Sequence, residues 1–341
     1  MLAAVRREQQ GIVSVVSSDP GALWVHHMRR GDWEEAWSIS EAMLRARAGV
    51  RDWSRPRHLQ AVWDGTPLDG RRILIRCYHG LGDTIQFIRF APFVQARASD
   101  LTVWAQPALI PLLRTMSGVG RLLPLHDGTP EVAYDVDVEV MELPHVLRTT
   151  IGTLPAQVPY LHLPRRDLRA GTGLARPGLA VGLVWRSGDW DYERRSVPFG
   201  LLAPLGTVAD VALHILQRGP ALEERTPDFG ILSGSDDILE AAAVMRGLDL
   251  VISIDSMPAH LAGALGLPVW TLLASDADWR WMEEREDSPW YPSMRLFRQR
   301  RSGAWGEVIA RVADALRTLA AARRSSGAAG RQTQPIGSTV P

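Results

Sequence analysis

"RILIRCYHGLGDTIQFIRFAP", residues 72–92, joins an apolar run to a helix-forming run through a short glycine-containing turn. This order predicts a strand, a tight turn and a helix, which together form one βα unit of a parallel sheet. Asp83 follows Gly82 where the strand has just ended. Open α/β sheets bind ligands at that end of their strands, so Asp83 is a candidate site residue. In the alternative interpretation, its carboxylate only caps the helix that begins there.

The same turn contains part of a dinucleotide-binding pattern. Gly80 and Gly82 supply the first two positions of G-x-G-x-x-G, but Ile85 occupies the third. The acid about 20 residues further on, Asp100, precedes the second strand instead of ending it. The turn is therefore a weak match to a dinucleotide site.

Strand-like and helix-like runs continue to alternate along the chain, first up to a loop-rich segment and then in a second series after it. Such alternation predicts an α/β fold of two doubly wound, Rossmann-like halves joined by a linker near residues 165–178. We expect a helical extension over 1–66, one Rossmann-like domain over 67–165, a second over 166–322 and a disordered tail over 323–341.

The predicted extension has helical spacing in "PGALWVHHMRRGDWEEAWSISEAMLRARAG", residues 20–49, with a break at "RRGDW". "GDWEEAW" resembles the first helix of a tetratricopeptide repeat, and one such unit is visible. Because repeats of this kind need neighbours to complete their core, we expect the pair to pack on the next domain. Docking of a protein partner is the alternative.

Charge and composition exclude several classes of protein. Lys+Arg 38 equals Asp+Glu 38 among 341 residues, so no overall field favours nucleic acid. The basic residues are all arginine, which excludes lysine-based phosphate loops and Schiff bases. Cys77 is the one cysteine and belongs to an apolar strand, so no disulfide framework is expected. Without a segment near the ~20 apolar residues of a membrane span or a signal-length apolar start, we expect a cytoplasmic protein.

A second candidate site lies in "LDLVISIDSMPAHLAGALGLPVW", residues 248–270. A strand ends at Asp255 and Ser256, and a helix rich in small residues begins, with Ala259 and His260 in its first turns. The N–H groups of a helix N-terminus suit a diphosphate, and the Ser256 hydroxyl adds a donor. The alternative is an ordinary capped helix with a hydrogen-bonded histidine.

Arginines are concentrated in "WRSGDWDYERRSVP", residues 185–198, directly after the strand that opens the second half. Arg186, Arg194 and Arg195 are candidates for phosphate binding through their guanidinium groups. A solvated loop of ion pairs is the alternative, since acidic residues accompany them. "LQRGP", residues 216–220, ends the next strand and makes Gln217 a further candidate.

Two other patterns stay open at this point. "DADWRWMEEREDSPWYPSMRLFRQ", residues 276–299, contains aromatic rings that could stack on a base or sugar, or pack between domains. "DVD" at 135–137 and "DWD" at 189–191 each pair two acids, a spacing that is frequent by chance, so no metal site is expected.

Taken together, these stretches resemble the family 9 glycosyltransferases, which include the lipopolysaccharide heptosyltransferases, and especially bacterial relatives with tetratricopeptide repeats. The resemblance covers roughly residues 70–318. It implies a GT-B fold, with an acceptor-binding first half and a nucleotide-sugar-binding second half that face a cleft. It also implies inverting transfer without a metal or another cofactor. The quoted markers are "GLGDTIQFIRFAP", "VGLVWRSG" with "RRSVP", "LQRGP", "DLVISIDSMPAHLAGALGLPVW" and "DWRW" with "EDSPWYPSMRLFRQ".

The resemblance also implies roles for individual residues. Asp83 falls on the family's catalytic aspartate, the general base, with Gly82, Thr84 and Gln86 beside it as substrate-binding candidates. In the second half, the nucleotide-diphosphate motif falls on Asp255, Ser256, Ala259 and His260. Met257 and Pro258 depart from the family's pattern. The family's phosphate-binding lysine is absent, so Arg194 or Arg195 would replace it.

Three functions remain open from the sequence. The first is transfer of a sugar, heptose by resemblance, from a nucleotide sugar to a glycan or protein acceptor, as in lipopolysaccharide biosynthesis. The second is a non-catalytic binding scaffold that recruits a partner through the N-terminal helices. The third is a GT-B epimerase. Nucleic acid is not an expected partner, whereas peripheral contact with the inner membrane face is.

Overall fold

The computed structural model describes residues 19–48, 50–164, 178–188 and 192–329. Within these ranges the strands form two separate parallel sheets. The predicted α/β architecture of two Rossmann-like halves with helices ahead of them is confirmed. The strands are β1 (Arg72–Arg76), β2 (Asp100–Ala105), β3 (Arg121–Pro124), β4 (Val136–Glu139), β5 (Leu179–Val184), β6 (Val211–Ile215), β7 (Ile231–Leu232), β8 (Leu250–Ile254), β9 (Val269–Leu273) and β10 (Met294–Arg298).

Most helices of the two halves are short, and several begin with a 3-10 turn. One predicted helix is divided at residues 88–90, because Pro92 has no N–H for the Ile88 carbonyl. The helices are α1 (Pro20–Arg30), α2 (Trp33–Ala46), α3 (Leu81–Phe87), α4 (Ala91–Gln95), α5 (Ile110–Leu113), α6 (Leu143–Val146), α7 (Tyr192–Arg195), α8 (Ala203–Gly206), α9 (Ile238–Arg246), α10 (Met257–Ala264) and α11 (Trp305–Ala329).

The first sheet has the order β3-β2-β1-β4. The chain moves outward from β1 to β3 and then returns to the other side of β1. The crossovers therefore leave in opposite directions between β1 and β4, and a crevice opens there at the carboxyl ends of the strands. Arg76 and Glu139 are register partners at that end.

The second sheet has the order β10-β9-β8-β5-β6-β7, so its crevice lies between β5 and β8. Both strands are buried along their whole length, as expected for a parallel sheet that is covered on both faces. The sequence did not predict β7 or β10. The two-residue β7 is too short for a pattern, and β10 alternates arginine with apolar residues at the edge of the sheet.

The N-terminal helix pair packs on both halves. Gly31, at φ 87°, allows the sharp turn between α1 and α2, as the break at "RRGDW" predicted. Trp37 of α2 donates to the Thr149 carbonyl of the first half at 2.6 Å. Arg29 of α1 donates to the carbonyls of Asp276 and Ala277 in the second half. The pair therefore bridges the two halves, where the sequence predicted packing on one domain.

The sequence predicted a linker before the second half, near residues 165–178, and a tail after it, from residue 323. The linker near 165–178 lies almost wholly outside the described residues, which resume at Gly178. The tail expected from residue 323 was placed too early, because α11 runs to Ala329. Arg323 pairs with Asp249 at 3.0 Å and Arg324 pairs with Asp210, which helps to hold the end of the helix on the sheet.

Candidate functional site

The carboxyl edges of the two sheets face each other, and the turns after β1 and β8 meet between them. A Cβ atom on Gly82 would come within 3.0 Å of the His260 ring and 3.3 Å of the Met257 Cα. A side chain at this position would require the His260 ring or α10 to shift by a few tenths of an ångström, so glycine favours the close approach of α3 and α10. The glycine predicted as part of a substrate loop acts here in the contact between the halves.

Asp83 lies in the first turn of α3. Its Oδ2 accepts the Gly80 N–H at 3.2 Å, and its Oδ1 accepts Arg280 Nη1 at 2.8 Å. Burial acts to raise the pKa of Asp83, but the charge and hydrogen bond of Arg280 outweigh it and the pKa is lowered. The carboxylate is therefore ionised and weakly basic in this conformation.

Arg280 is a residue of the candidate site that sequence reasoning missed. It is buried in the second half, donates through Nε to Asp278 at 2.8 Å, and reaches across to Asp83 and Gln86. Its pKa is raised because three carboxylates outweigh the effect of burial. The signal was present in "DWRW", but the aromatic residues of that stretch drew the interpretation toward stacking.

Two other candidates beside Asp83 are buried. Gln86 is 0% exposed, and its Oε1 accepts Arg280 Nη1 at 3.0 Å. Thr84, which follows Asp83 in α3, is also 0% exposed. Neither side chain faces open space in this conformation, and Gln86 connects α3 to Arg280 of the second half.

In the second half, Asp255 and His260 lie close together. His260 Nε2 lies 3.9 Å from Asp255 Oδ1, and its Nδ1 is 3.1 Å from the Tyr291 hydroxyl. Burial lowers the pKa of His260 to about 3, and Arg280 adds to the effect. Burial raises the pKa of Asp255. His260 is therefore neutral and held within the interface.

The start of α10 contains the predicted hydroxyl and small residue. Ser256 is the N-cap, and its Oγ donates to the Ile254 carbonyl at 3.3 Å instead of capping the helix. Ala259 is fully buried against the neighbouring structure. The backbone N–H groups of the first turn are thus not capped by the Ser256 side chain.

The candidate arginines divide into two groups. Arg195 donates to the Asp255 carbonyl at 2.9 Å, and Arg194 to Asp276 Oδ2 at 2.5 Å. Both line a cavity of about 170 Å³ whose other walls include Arg29 of α1. Arg186, by contrast, forms an ion pair with Glu224 away from the cavity lining.

Gln217 supports this loop from the neighbouring strand. It is buried, and its Oε1 accepts the N–H groups of Trp185 and Arg186 at 3.1 and 2.9 Å. The carboxamide therefore fixes the backbone where the arginine loop leaves β5. Both polar atoms of the carboxamide contact backbone groups in this conformation, and its contact with substrate stays a prediction.

The aromatic residues of 276–299 pack between the parts of the molecule, which was one of the two alternatives. Trp290 stacks on Trp33 of α2 at 5.4 Å and meets Phe87 of α3 edge-on at 5.4 Å. Trp279 meets Trp24 of α1 at 5.3 Å. The cluster therefore joins the helix pair, the first half and the second half.

The two acids of "DVD", which were considered as metal ligands, form ion pairs with arginines. Asp135 pairs with Arg72 at 2.6 Å, and Asp137 pairs with Arg76 at 2.6 Å. The pair at 189–191 lies outside the described residues. Within the described ranges, no group of three or more His, Cys, Asp or Glu side chains is arranged to hold a metal ion.

Two parallel sheets with opposed carboxyl edges and a charged crevice between them define a GT-B type of fold, the class predicted from the sequence. Residues 213–303 match the sequence model of glycosyltransferase family 9 (heptosyltransferase). That segment includes Asp255, His260 and Arg280. The match confirms the resemblance and supports the prediction of a glycosyltransferase, whereas the association with tetratricopeptide repeats stays a prediction.

Known proteins resemble the chain over most of its length. Protein FlbA of Caulobacter vibrioides is 30% identical over 321 residues, which cover 84% of this chain and 53% of FlbA. The chain therefore spans about half the length of this relative.

Among solved structures, the ADP-heptose LPS heptosyltransferase II of E. coli has a TM-score of 0.54. It is 14% identical, with coverage of 74% of this chain and 99% of that one. A family 9 glycosyltransferase of Veillonella parvula DSM 2008 has a TM-score of 0.51 at 14% identity, covering 69% and 87%. These likenesses concern the fold.

In the part of the chain that the structure describes, no helix combines the length and apolar character needed to cross a bilayer.

Proposed function

We propose that the protein transfers a sugar from a nucleoside-diphosphate donor to a hydroxyl acceptor, with inversion at the anomeric carbon. One observation carries the proposal. The family 9 segment, residues 213–303, supplies the cleft wall that contains Asp255, and this wall faces Asp83 across the interface. ADP-heptose is the first donor to test, because structural neighbours act on it.

The donor is proposed to bind on the second half. Arg194 and Arg195 lie at the cavity, where guanidinium groups can bind the oxygens of a diphosphate. Asp255 lines the same cavity. The uncapped start of α10 follows it two residues later, and the backbone N–H groups of a helix N-terminus favour an anion. The two arginines take the place of the family's lysine.

The acceptor is proposed to bind on the first half, as a hydroxyl of a glycan or protein. Asp83 is the carboxylate proposed from the sequence as the base that takes the hydroxyl proton. In the conformation described here Arg280 occupies it, so that role requires Asp83 to be released. No metal takes part in the proposed reaction. Peripheral contact with a membrane stays a prediction.

The cavity is smaller than a nucleotide sugar requires. It measures about 170 Å³, whereas sites for ligands of that size are roughly 300–1,000 Å³. One wall comes from Val25 and Arg29 of α1. Donor binding therefore requires α1 and the loop 276–279 to move apart, which is how we expect the site to open.

Two observations favour a second candidate, a binding scaffold without catalysis. Arg280 forms an ion pair with Asp83, and the helix pair bridges both halves. A scaffold of this kind has no need to open or to bind a nucleotide. Binding of a nucleotide sugar therefore separates the two functions.

Thermal unfolding with a panel of ADP-, UDP-, GDP- and dTDP-sugars tests the proposal. A ligand that binds the native state at 100 times its dissociation constant stabilises it by about 2.7 kcal/mol, which raises the midpoint. We expect one nucleotide class to do so, and the combined variant Arg194→Ala, Arg195→Ala to lose the effect. Arg317→Ala, on the exposed face of α11, is the matched control. A folded protein that responds to none of these sugars would favour the scaffold.

A further inference from the structure

A histidine and a glutamate meet at the crevice of the first sheet, and neither was assigned from the sequence. Glu139 is the last residue of β4, and His79 follows β1, the neighbouring strand. Crossovers leave these two strands in opposite directions, which is where open α/β sheets bind their ligands. The pair therefore lies at the ligand-binding position of the proposed acceptor half.

Glu139 is rigidly held. Its side chain is 1% exposed, and its oxygens accept the N–H groups of Tyr78 and Met141 at 3.1 and 2.6 Å. Two backbone N–H groups thus fix the orientation of this buried carboxyl group. Glu139 therefore holds its side-chain oxygens at a fixed position beside the residues that adjoin it.

The His79 ring lies against this carboxyl group. Its Nδ1 is 3.0 Å from Glu139 Oε1, although the approach is too oblique for an aligned hydrogen bond. Gln106 donates to the His79 carbonyl at 2.7 Å and fixes the backbone. The side chain is 25% exposed, and no hydrogen bond to Nε2 exists among the residues described. One ring nitrogen therefore faces the carboxylate, while the other is not engaged.

The charged groups around His79 come from three elements. Glu139 lies at the end of β4, Asp83 lies in α3, and Arg280 reaches over from the second half. The His58 ring of the connector is 6.5 Å away. Burial alone would lower the pKa of His79, but Glu139 and Asp83 outweigh burial and Arg280, and the pKa is raised. The raised pKa makes His79 a stronger base than a free imidazole, whereas Arg280 makes Asp83 a weaker base.

We propose that His79, held by Glu139, is a further catalytic residue that takes the acceptor proton while Asp83 is bound to Arg280. The assignment rests on the proposed transfer function. Asp83 and Arg280 then act as a fixed ion pair beside the reacting centre. Glu139 is a positioning residue, because it acts through the imidazole.

The step balances as a substitution. His79 Nε2 accepts the proton of the acceptor hydroxyl, and the oxygen lone pair forms a bond to the anomeric carbon. The bond between that carbon and the diphosphate oxygen breaks, and its electron pair leaves with the nucleoside diphosphate. The imidazolium then returns its proton to water.

Cleavage of the donor with water as acceptor tests the assignment without a known acceptor. The probe is ADP-heptose, or the sugar of the panel that raises the midpoint most, and released nucleoside diphosphate is measured from pH 5 to 9. The variants are His79→Gln, Glu139→Gln and Asp83→Asn, with the exposed His162→Gln as the matched control. The midpoint with and without donor is recorded for each variant.

We expect His79→Gln to bind the donor normally and to cleave it at least about 100-fold more slowly than the wild type. The wild-type rate should fall toward acid pH as the imidazole is protonated, and this fall should be absent from the variant. Glu139→Gln should shift the fall to lower pH, because the imidazolium loses its carboxylate. The cleavage rate of Asp83→Asn should still fall toward acid pH, and His162→Gln should match the wild type at every pH.

Two results would overturn the His79 assignment alone. The first is donor cleavage by His79→Gln at the wild-type rate, with the fall toward acid pH intact and with Asp83→Asn inactive. The second is donor binding without cleavage by the wild type. If no nucleotide sugar binds the folded protein, the transferase function itself fails, and the His79 assignment fails with it.

Discussion

Arg280 connects the two halves at the level of single residues. Its guanidinium contacts Asp278 in its own half and Asp83 and Gln86 in the other. Because the contact is buried, water screens it little. A charge that holds the halves together is thus also the charge that sets the basicity of Asp83.

Removal of Arg280 should destabilise the protein strongly. Arg280→Ala leaves Asp83 and Gln86 without their donor, and loss of one partner of a buried pair costs about 3–5 kcal/mol. Urea unfolding at pH 7 measures this change. Arg285→Ala, which removes a more exposed pair with Asp287, should cost under about 1 kcal/mol. Equal losses in the two variants would contradict the account.

His260 should make the protein sensitive to acid. Its pKa is about 3 in the folded protein and near 6.5 when unfolded, so the unfolded state binds the proton more readily between these values. Stability should therefore be full above about pH 6.5 and fall as the pH drops toward 3, by up to about 1.4 kcal/mol per unit.

Urea unfolding at pH 7, 6 and 5 tests this dependence, with His260→Gln as the variant. The variant should lose less stability than the wild type over that range, whatever its stability at pH 7. A wild-type slope that persists in His260→Gln would assign the effect to another group.

Sequence reasoning found the residues that follow strands directly, and missed those whose partners are distant in the chain. Asp83, Asp255 and His260 stand out locally because they follow apolar runs and lie just before or within the first turns of a helix. Arg280 contacts Asp83 of α3, which lies 197 positions away in the chain. His79 likewise depends on Glu139, which only strand order brings near. Pairing between distant residues leaves no local pattern.

At the level of elements, the helix pair α1–α2 is part of the core. Trp33 is 1% exposed, donates to the Met28 carbonyl at 3.2 Å and stacks on Trp290 of the second half. The local sequence predicted both helices and the turn. Aromatic residues of the two helices contact residues that are distant in the chain, and the local sequence did not predict these contacts.

Trp33→Ala should cost about 3–5 kcal/mol, as expected for truncation of a fully buried aromatic residue. Trp53→Ala is the control, because Trp53 is 50% exposed and its loss should cost much less. Chemical unfolding followed by far-UV circular dichroism measures both. A Trp33→Ala variant as stable as Trp53→Ala would show that the pair is not integral to the core.

At the scale of the whole molecule, binding should open the site. The cavity of about 170 Å³ lies between α1 and the second sheet, and α1 is held there by Arg29 and Trp24. Hydrogen exchange should therefore change in residues 20–30 and 276–283 when ADP-heptose saturates the protein. Saturating binding without any change in these segments would show that the donor enters elsewhere.

The overall architecture was the most predictable property, because two series of alternating strands and helices suffice to define two halves. The facing of their edges was implied by the family resemblance, and the likeness in fold to heptosyltransferase II at a TM-score of 0.54 agrees with it. The closed contact between α3 and α10 was not predictable, because it depends on Gly82 and on packing across the chain.

Calorimetric titration of ADP-heptose into the intact protein tests the central claim most directly. We predict binding at a single site, weakened at least tenfold in the combined variant Arg194→Ala, Arg195→Ala, since each charged hydrogen bond contributes about 1.5–3 kcal/mol. Arg317→Ala should bind as the wild type does. Absence of binding by ADP-heptose and by the UDP-, GDP- and dTDP-sugars, with the protein folded, would contradict a nucleotide-sugar site in this cleft.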